Sequence, residues 1–436
     1  MLYRVIIDNY KSFAEETAFD LFPNPKRETF PNHVYGEGAT PVLKSTAIYG
    51  ANGAGKSNLI KGMQFIKEFT TTMSTGKDAQ KMRNWYLNNR FKLPVEDENK
   101  PITMVVEFEN NSQAYIYCIE IDIDGVKSES LLLSGLGKSN HVVFQRDRES
   151  VAFKKAKVVE SIKKILERQI ADNPFGSVLA INGVLHLTED EHMRNAFLWF
   201  LEKLEVVEIS RDIPWLIEHF KDNANMMNFV GEIFTKVGLG IQSLYIKDES
   251  FDQWLKNVSQ EEGKVADIMT NKGLSLSKMI SVGIQIPEED GKRLVREFVF
   301  QQIGRNGSVC DMDVMSQSTG TLRLLTLIPA IYFAINNGKT VLIDEIDNGI
   351  HPMLIKNLVK FFGESKSNGQ LIYTTHETAL LNQQELLRPD EVWFVEKVEG
   401  CTKMYSLNDF KIHKTISIEN GYLDGRFGAI PFIGTL

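Results

Sequence analysis

The hydrophobic pattern changes its period along the chain, and the changes divide it. Leu2–Ile7 alternates apolar and polar positions, and Thr17–Leu21 does so again, as half-buried strands do. A loop carrying Pro23, Pro25 and Pro31 leads to an apolar run at Ser45-Thr-Ala-Ile-Tyr49, read as a buried strand. The spacing then predicts a helix from Asn58 to about Thr72. After a polar stretch, Thr103–Phe108, Ala114–Ile123 and Glu129–Leu133 alternate once more. Asn110-Asn111-Ser112 and Asp124-Gly125 are turn sequences between them, so these three runs predict an antiparallel meander.

From about residue 155 the period becomes helical. Val158, Val159, Ile162, Ile165, Leu166 and Ile170 share one helical face; Met193, Phe197, Phe200, Leu201 and Leu204 share another, and similar patterns run to about residue 282. Strand patterning returns at Leu294–Gln301. A segment Asp311–Gly320 precedes a long helix from Thr321. A strand at Thr340–Asp344, a helix from about Pro352 to Phe362, a strand at Gln370–Thr374 and a final strand and tail complete the chain. The expected fold is an α/β core with an antiparallel β subdomain, split between residues 1–154 and 286–436, with a mainly helical insertion at 155–285. No repeat, low-complexity segment or sustained heptad pattern appears.

Between the strand at 45–49 and the helix that follows lies Gly50-Ala51-Asn52-Gly53-Ala54-Gly55-Lys56-Ser57, a complete Gly-x-x-x-x-Gly-Lys-Ser phosphate loop. Backbone N–H groups of Gly50, Asn52, Gly53, Ala54 and Gly55 would form a nest for phosphate oxygens, reinforced by the positive end of the helix. Lys56 would reach the β- and γ-phosphates, and the Ser57 hydroxyl would coordinate Mg²⁺. Far along the chain, the apolar run Val341-Leu342-Ile343 ends in Asp344-Glu345. Beside a phosphate loop, such a strand end holds the metal: Asp344 would bind Mg²⁺, and Glu345 could polarise the attacking water.

The wide separation of these motifs, with Asp344-Glu345-Ile-Asp-Asn-Gly-Ile-His-Pro352 at the far end, resembles the ATP-binding-cassette class of P-loop ATPases. Its soluble branch includes the chromosome-maintenance (SMC), RecF and OLD-type proteins. Ser316-Gln-Ser318-Thr-Gly320-Thr321 stands where that class keeps its signature motif. The resemblance implies that Ser318 and Gly320 face the γ-phosphate bound by a second subunit. Thr319 and Thr321 depart from the usual pattern, and without the family the segment reads as a Ser/Thr-rich helix cap. The resemblance also implies a switch histidine at His376, ending Leu371-Ile-Tyr-Thr-Thr-His376, and a loop aspartate at Asp347 that communicates between two composite sites. Gln64, Gln80, Gln113 and Gln145 are all candidates for the class's Mg²⁺-supporting glutamine.

Ala47-Ile-Tyr-Gly-Ala-Asn52, His351-Pro352, Thr374-Thr-His-Glu-Thr378 and Tyr422-Leu-Asp-Gly-Arg-Phe-Gly-Ala-Ile-Pro431 resemble bacterial abortive-infection ATPases of the AbiL/RloA type. The resemblance covers nearly all of the chain outside about 155–285. It implies an ATPase with ATP and Mg²⁺ as cofactors, working as a homodimer or higher oligomer in defence against phage and controlling a separately encoded effector. The tail after His376 is too short for the nuclease domain of OLD-type relatives, so any toxic activity is expected in a partner. The segment Gly421–Pro431 is either a docking segment or a packed turn.

Composition adjusts this picture little. Of 436 residues, 43% are hydrophobic and 24% charged, ordinary for a globular protein with a large core. A net charge of −8 does not support whole-molecule attraction to nucleic acid or acidic membrane. Lys154, Lys155, Lys157, Lys163 and Lys164 form a local basic run, either a phosphate-contacting patch or a solvated helix face. Cys118, Cys310 and Cys401 lack metal spacing and read as free thiols. The amino terminus has no signal arrangement, and the apolar run Leu324–Ile335 is too short for a membrane span, so a cytoplasmic location without membrane contact is expected. Two other readings stay open: a nucleotide-gated scaffold or sensor with dispensable hydrolysis, and a RecF-like DNA-repair ATPase.

Overall fold

Period-two segments pair in the computed structural model as their alternation requires. The structure describes residues 1–36, 40–73, 79–93, 99–207, 213–257, 284–285, 288–289, 292–381, 386–411 and 417–431. Contacts divide the chain into two units: Met1–Val207 with Phe333–Asp347 and Lys356–Leu436, and Glu208–Tyr332 with Asn348–Ile355.

The first unit contains two sheets. The larger is antiparallel and seven-stranded, in the order Val151–Phe153, His141–Arg146, Gly125–Leu133, Gln113–Asp122, Ile102–Asn110, Leu2–Asp8, Thr17–Asp20. The expected meander is its centre, with Val106 opposite both Val5 and Tyr117. One face is apolar: Ile102, Met104, Val106 and Phe108 are all buried. Phe108 stacks on Trp199, which a π-helical turn at Trp199–Lys203 carries into the core.

The second sheet is six-stranded, in the order Leu204–Val207, Thr340–Ile343, Gln370–Thr374, Ser45–Gly50, Val392–Val398, Cys401–Ser406. The first five strands run parallel and the last antiparallel. Its inner strands are buried on both faces, which is why they read as continuous apolar runs instead of alternating ones. Gln370 ties the two sheets. Its Oε1 accepts from Leu2 N–H and the Thr340 hydroxyl, and its Nε2 donates to the carbonyls of Leu2 and Leu43.

Helices predominate among the described residues of 155–285, with strands set between them. Residues 155–207 belong to the first unit, and Leu204–Val207 is a strand of the nucleotide sheet. Leu204 fits the helical spacing begun at Met193, but the π-helical turn ends that helix and releases the chain to pair with Thr340–Ile343. In the second unit, Ile241–Ser250 is a strand paired over its length with Lys292–Ile303. Its first buried positions, Ile241 and Leu244, have helical spacing, so pattern alone could not separate the two states. Val309–Asp313 also pairs with Lys292–Ile303, a strand that the sequence pattern had not indicated. Residues 258–283, part of the expected helical run, lie outside the described residues.

A helix Ala79–Asn89 occupies part of the polar stretch. The helix expected from Thr321 begins at Thr319 and runs to Asn337. Longer than the apolar run inside it, this helix meets the length and composition of a membrane span, yet 72% of it is buried within the protein. Leu324, Leu325, Leu327, Ile328 and Ile331 are core residues.

Candidate functional site

Three parallel strands of the first unit end on one edge. Ile343 pairs with Tyr373, Thr374 with Ile48, and Gly50 with Val395, so the residues after Ile343, Thr374 and Gly50 emerge together. The crevice beyond the carboxyl ends of such strands is where open α/β sheets bind ligands.

The phosphate loop spans Gly50 to Lys56, and its helix runs Lys56–Thr71. Gly55 caps this helix with φ of 119° and no side-chain hydrogen bond, which leaves the first-turn N–H groups for an anion. Only glycine adopts that φ without strain, and a Cβ there would overlap the Thr402 hydroxyl. Thr402 belongs to a relay. The Asn58 amide donates to Ser12 Oγ at 2.7 Å, the Ser12 hydroxyl donates to Thr402 Oγ1 at 2.6 Å, and the Thr402 hydroxyl donates to the Ala54 carbonyl at 2.7 Å. The acceptor-only carbonyl at one end and the amide donor at the other fix this direction.

Lys56 is buried, at 6% exposure. Its ammonium donates to Gly50 O at 2.7 Å and Ala51 O at 3.2 Å, and lies 3.0 Å from His376 Nε2. Burial pulls its pKa down, and the carboxylates of Asp344, Glu345 and Asp347 oppose that. The His376 pKa is likewise lowered, by burial first and by Lys56 second. With an ammonium at Nε2, the imidazole is neutral and accepts there, so the hydrogen bonding assigns its proton to Nδ1.

Residues 344–347 and 374–376 are laced together. Thr374 Oγ1 donates to Asp344 Oδ1 at 2.6 Å and accepts the Glu345 N–H at 2.7 Å. Thr374 O accepts the Ile346 N–H, and the Asp347 carboxylate accepts the His376 N–H. Lys56, Asp344, Glu345, Asp347 and His376 therefore lie in one neighbourhood. Ser57 stands half-buried in the first helical turn.

Among the described residues there is no cluster of three or more His, Cys, Asp or Glu able to hold a metal alone. Mg²⁺ does not need one. It takes one or two protein oxygens and leaves the remaining positions to phosphate and water, a donor set that the Ser57 hydroxyl and the Asp344 carboxylate would supply. Gln64, Gln80 and Gln113 make local bonds to Glu68, Asn84 and Ala114, and these do not select a metal ligand.

Ser318 and Gly320 belong to the second unit. Ser318 caps the helix Thr319–Asn337, its Oγ accepting the Thr321 N–H at 3.1 Å, and Gly320 lies against the Gly349 carbonyl. The capping role expected without the family is thus present.

The tail is a packed turn beside the site. Tyr422 and Phe427 stack on Phe394, Tyr422 donates to Ala429 O, and Tyr405 donates to Phe427 O. Tyr422, Leu423, Ile430 and Pro431 line a cavity of about 710 Å³ together with Gly50, Ala51, Asn52, Thr378 and His376. Glu419 accepts from the Thr378 hydroxyl, two positions beyond the histidine.

Ser12, Asn58, Thr374 and Thr402 were not among the site residues read from sequence. A lone hydroxyl in an alternating strand carries no signal of its own; only Thr374, within Thr374-Thr-His376, stood inside a motif.

A family model described as "AAA domain, putative AbiEii toxin, Type IV TA system" matches residues 45–382. No curated protein matches the chain. Solved structures with a similar backbone include an SMC head bound to the C-winged helix domain of ScpA, at 14% identity and TM-score 0.45, over 94% of this chain and 99% of that one. The SMC head domain from Thermotoga maritima aligns at 12% identity and TM-score 0.39 over 94% and 99%. The Smc head with an extended coiled coil, bound to the C-terminal domain of ScpA derived from Pyrococcus furiosus, gives 13% and 0.38 over 98% and 99%. At these identities and scores the likeness carries no further argument. The phosphate loop, the acidic strand end and the family match over most of the chain agree: the protein belongs to this AbiEii-type AAA-domain family.

Proposed function

We propose that the chain is an ATP-hydrolysing switch. One observation supports it above the others: Lys56, His376, Asp347, Asp344 and Glu345 are joined along one sheet edge by contacts that a nucleotide would rearrange. The phosphate-loop N–H groups and Lys56 hold the β- and γ-phosphates, drawing the ammonium away from the carbonyls of Gly50 and Ala51. His376, relieved of Lys56, turns Nε2 toward the γ-phosphate. Ser57 and Asp344 would hold Mg²⁺, whose charge offsets that developing on the transferred phosphoryl group. Glu345 accepts a proton from the attacking water. Adenine as the base follows from the family and from no residue described above.

The family resemblance supports a cycle shared between copies, with Ser318 and Gly320 of one chain completing the site of another and Asp347 linking the two. It also supports a cytoplasmic role in phage defence through a separately encoded effector. Lys56→Ala should abolish ATP binding, while Glu345→Gln should bind ATP and barely hydrolyse it. Unchanged turnover in Glu345→Gln would sink the assignment of the base. Mixing Lys56→Ala with a Ser318→Arg protein tests the shared site, because one intact composite site should restore turnover. Co-elution of the neighbouring gene product with and without ATP tests the effector.

A further inference from the structure

Glu345 has φ of 49°, in the left-handed region that non-glycine residues seldom occupy. Strained backbone of this kind persists where its surroundings hold it, and it gathers at reacting sites. Thr374 is one residue that holds it here. The Thr374 hydroxyl accepts the Glu345 N–H and gives its own proton to Asp344 Oδ1, while the Thr374 carbonyl accepts the Ile346 N–H. Thr374 is fully buried at the end of its strand, one residue before Thr375 and two before His376.

We infer that Thr374 is a positioning residue for the ATPase site: its one hydroxyl sets both the rotamer of Asp344 and the backbone turn that aims Glu345. The inference rests on the ATPase reading above. The hydroxyl's single proton is committed to the carboxylate, leaving its lone pairs for the amide, so the two bonds are compatible and neither can be replaced by an aliphatic side chain. The carbonyl of the same residue connects the acidic loop to the strand bearing His376, so metal ligand, base and switch histidine share one support.

Thr374→Val keeps shape and burial and removes both bonds; Thr374→Ser keeps the hydroxyl. Three quantities are measured on the full chain: ATP turnover, the affinity for a fluorescent (mant) ATP with and without Mg²⁺, and thermal unfolding. Thr374→Val should lower turnover by about 10- to 100-fold, the range expected when hydrogen bonds to a charged and a strained group are lost. Its Mg²⁺-free affinity should stay within about threefold, while the gain in affinity that Mg²⁺ gives the wild type should shrink. Thr374→Ser should restore turnover to within about threefold and recover the Mg²⁺ gain. A folded Thr374→Val protein with wild-type turnover and Mg²⁺ gain overturns the inference. So does a Thr374→Ser protein that folds but is as impaired as Thr374→Val, which decides the matter even where valine prevents folding. A wild type that binds the nucleotide without turning it over refutes the ATPase reading alone, since the Mg²⁺ gain still tests Thr374.

Discussion

Thr402→Val should damage a phosphate loop that lies more than 300 residues before it in the chain. Valine fills the same volume, so packing against Gly55 and Ser12 is retained and only the hydroxyl is lost. Two bonds of the relay go with it, those to Ala54 O and from the Ser12 hydroxyl. The Ser12 hydroxyl can rotate to another acceptor. The Ala54 carbonyl cannot, because Ala54 is 2% exposed. An orphaned buried carbonyl costs about 1–3 kcal/mol. If the empty loop keeps its shape, that cost appears as lost folding stability. If the empty loop relaxes, ATP must restore the shape and the cost appears in binding, as much as about 5- to 150-fold in Kd. The two losses should therefore sum to about 1–3 kcal/mol however they divide. Urea unfolding of the nucleotide-free protein measures one, and mant-ATP titration the other. Ser12→Ala, which leaves the Thr402–Ala54 bond intact, should lose less. A combined loss below about 0.5 kcal/mol for Thr402→Val, the usual scatter of surface substitutions, would refute the argument.

Gln370→Leu strips four partners of their only shared side chain and should destabilise the fold by about 3 kcal/mol or more; a urea midpoint close to wild type would show the two sheets to be joined by other means. His376 gives a pH prediction with a definite sign. Its folded pKa lies below the ordinary 6.5, so the unfolded chain binds the proton more readily and stability falls as pH drops through 6.5. Unfolding midpoints of the nucleotide-free protein between about pH 7.5 and about pH 5.5 should fall more steeply for the wild type than for His376→Asn, and equal slopes would show that neither burial nor Lys56 lowers the imidazole pKa.

The site was legible where chemistry demands a spacing. Gly50–Ser57 and Asp344-Glu345 stand out by residue type and spacing and His376 through the family resemblance, and the fold brings Lys56, Asp344, Glu345 and His376 together. The inner strands were legible for a related reason, since a strand buried on both faces is a short unbroken apolar run. The supports of the site were not. Ser12, Asn58, Thr374 and Thr402 act through individual hydrogen bonds to groups distant in the chain, and polar residues of these types occur throughout any sequence. The strands inside 155–285 were missed for a different cause. Ile241–Ser250 places apolar residues at spacings compatible with helix or strand, and pairing with Lys292–Ile303 decided the matter. Leu204–Val207 was concealed by the helical face before it, and only the π-helical turn separates the two.

The phosphate-loop strand Ser45–Gly50 pairs on one side with Gln370–Thr374 and on the other with Val392–Val398. Both neighbours, and Thr402 beyond them, are synthesised long after the loop itself. During translation the loop leaves the ribosome with neither flanking strand to hold it, and it stays so until most of the polypeptide has been made. A chain terminated before residue 370, although it carries the whole Gly50–Ser57 motif, lacks both strands that flank it in the sheet. Loading with nucleotide therefore waits on residues more than 300 positions after the loop.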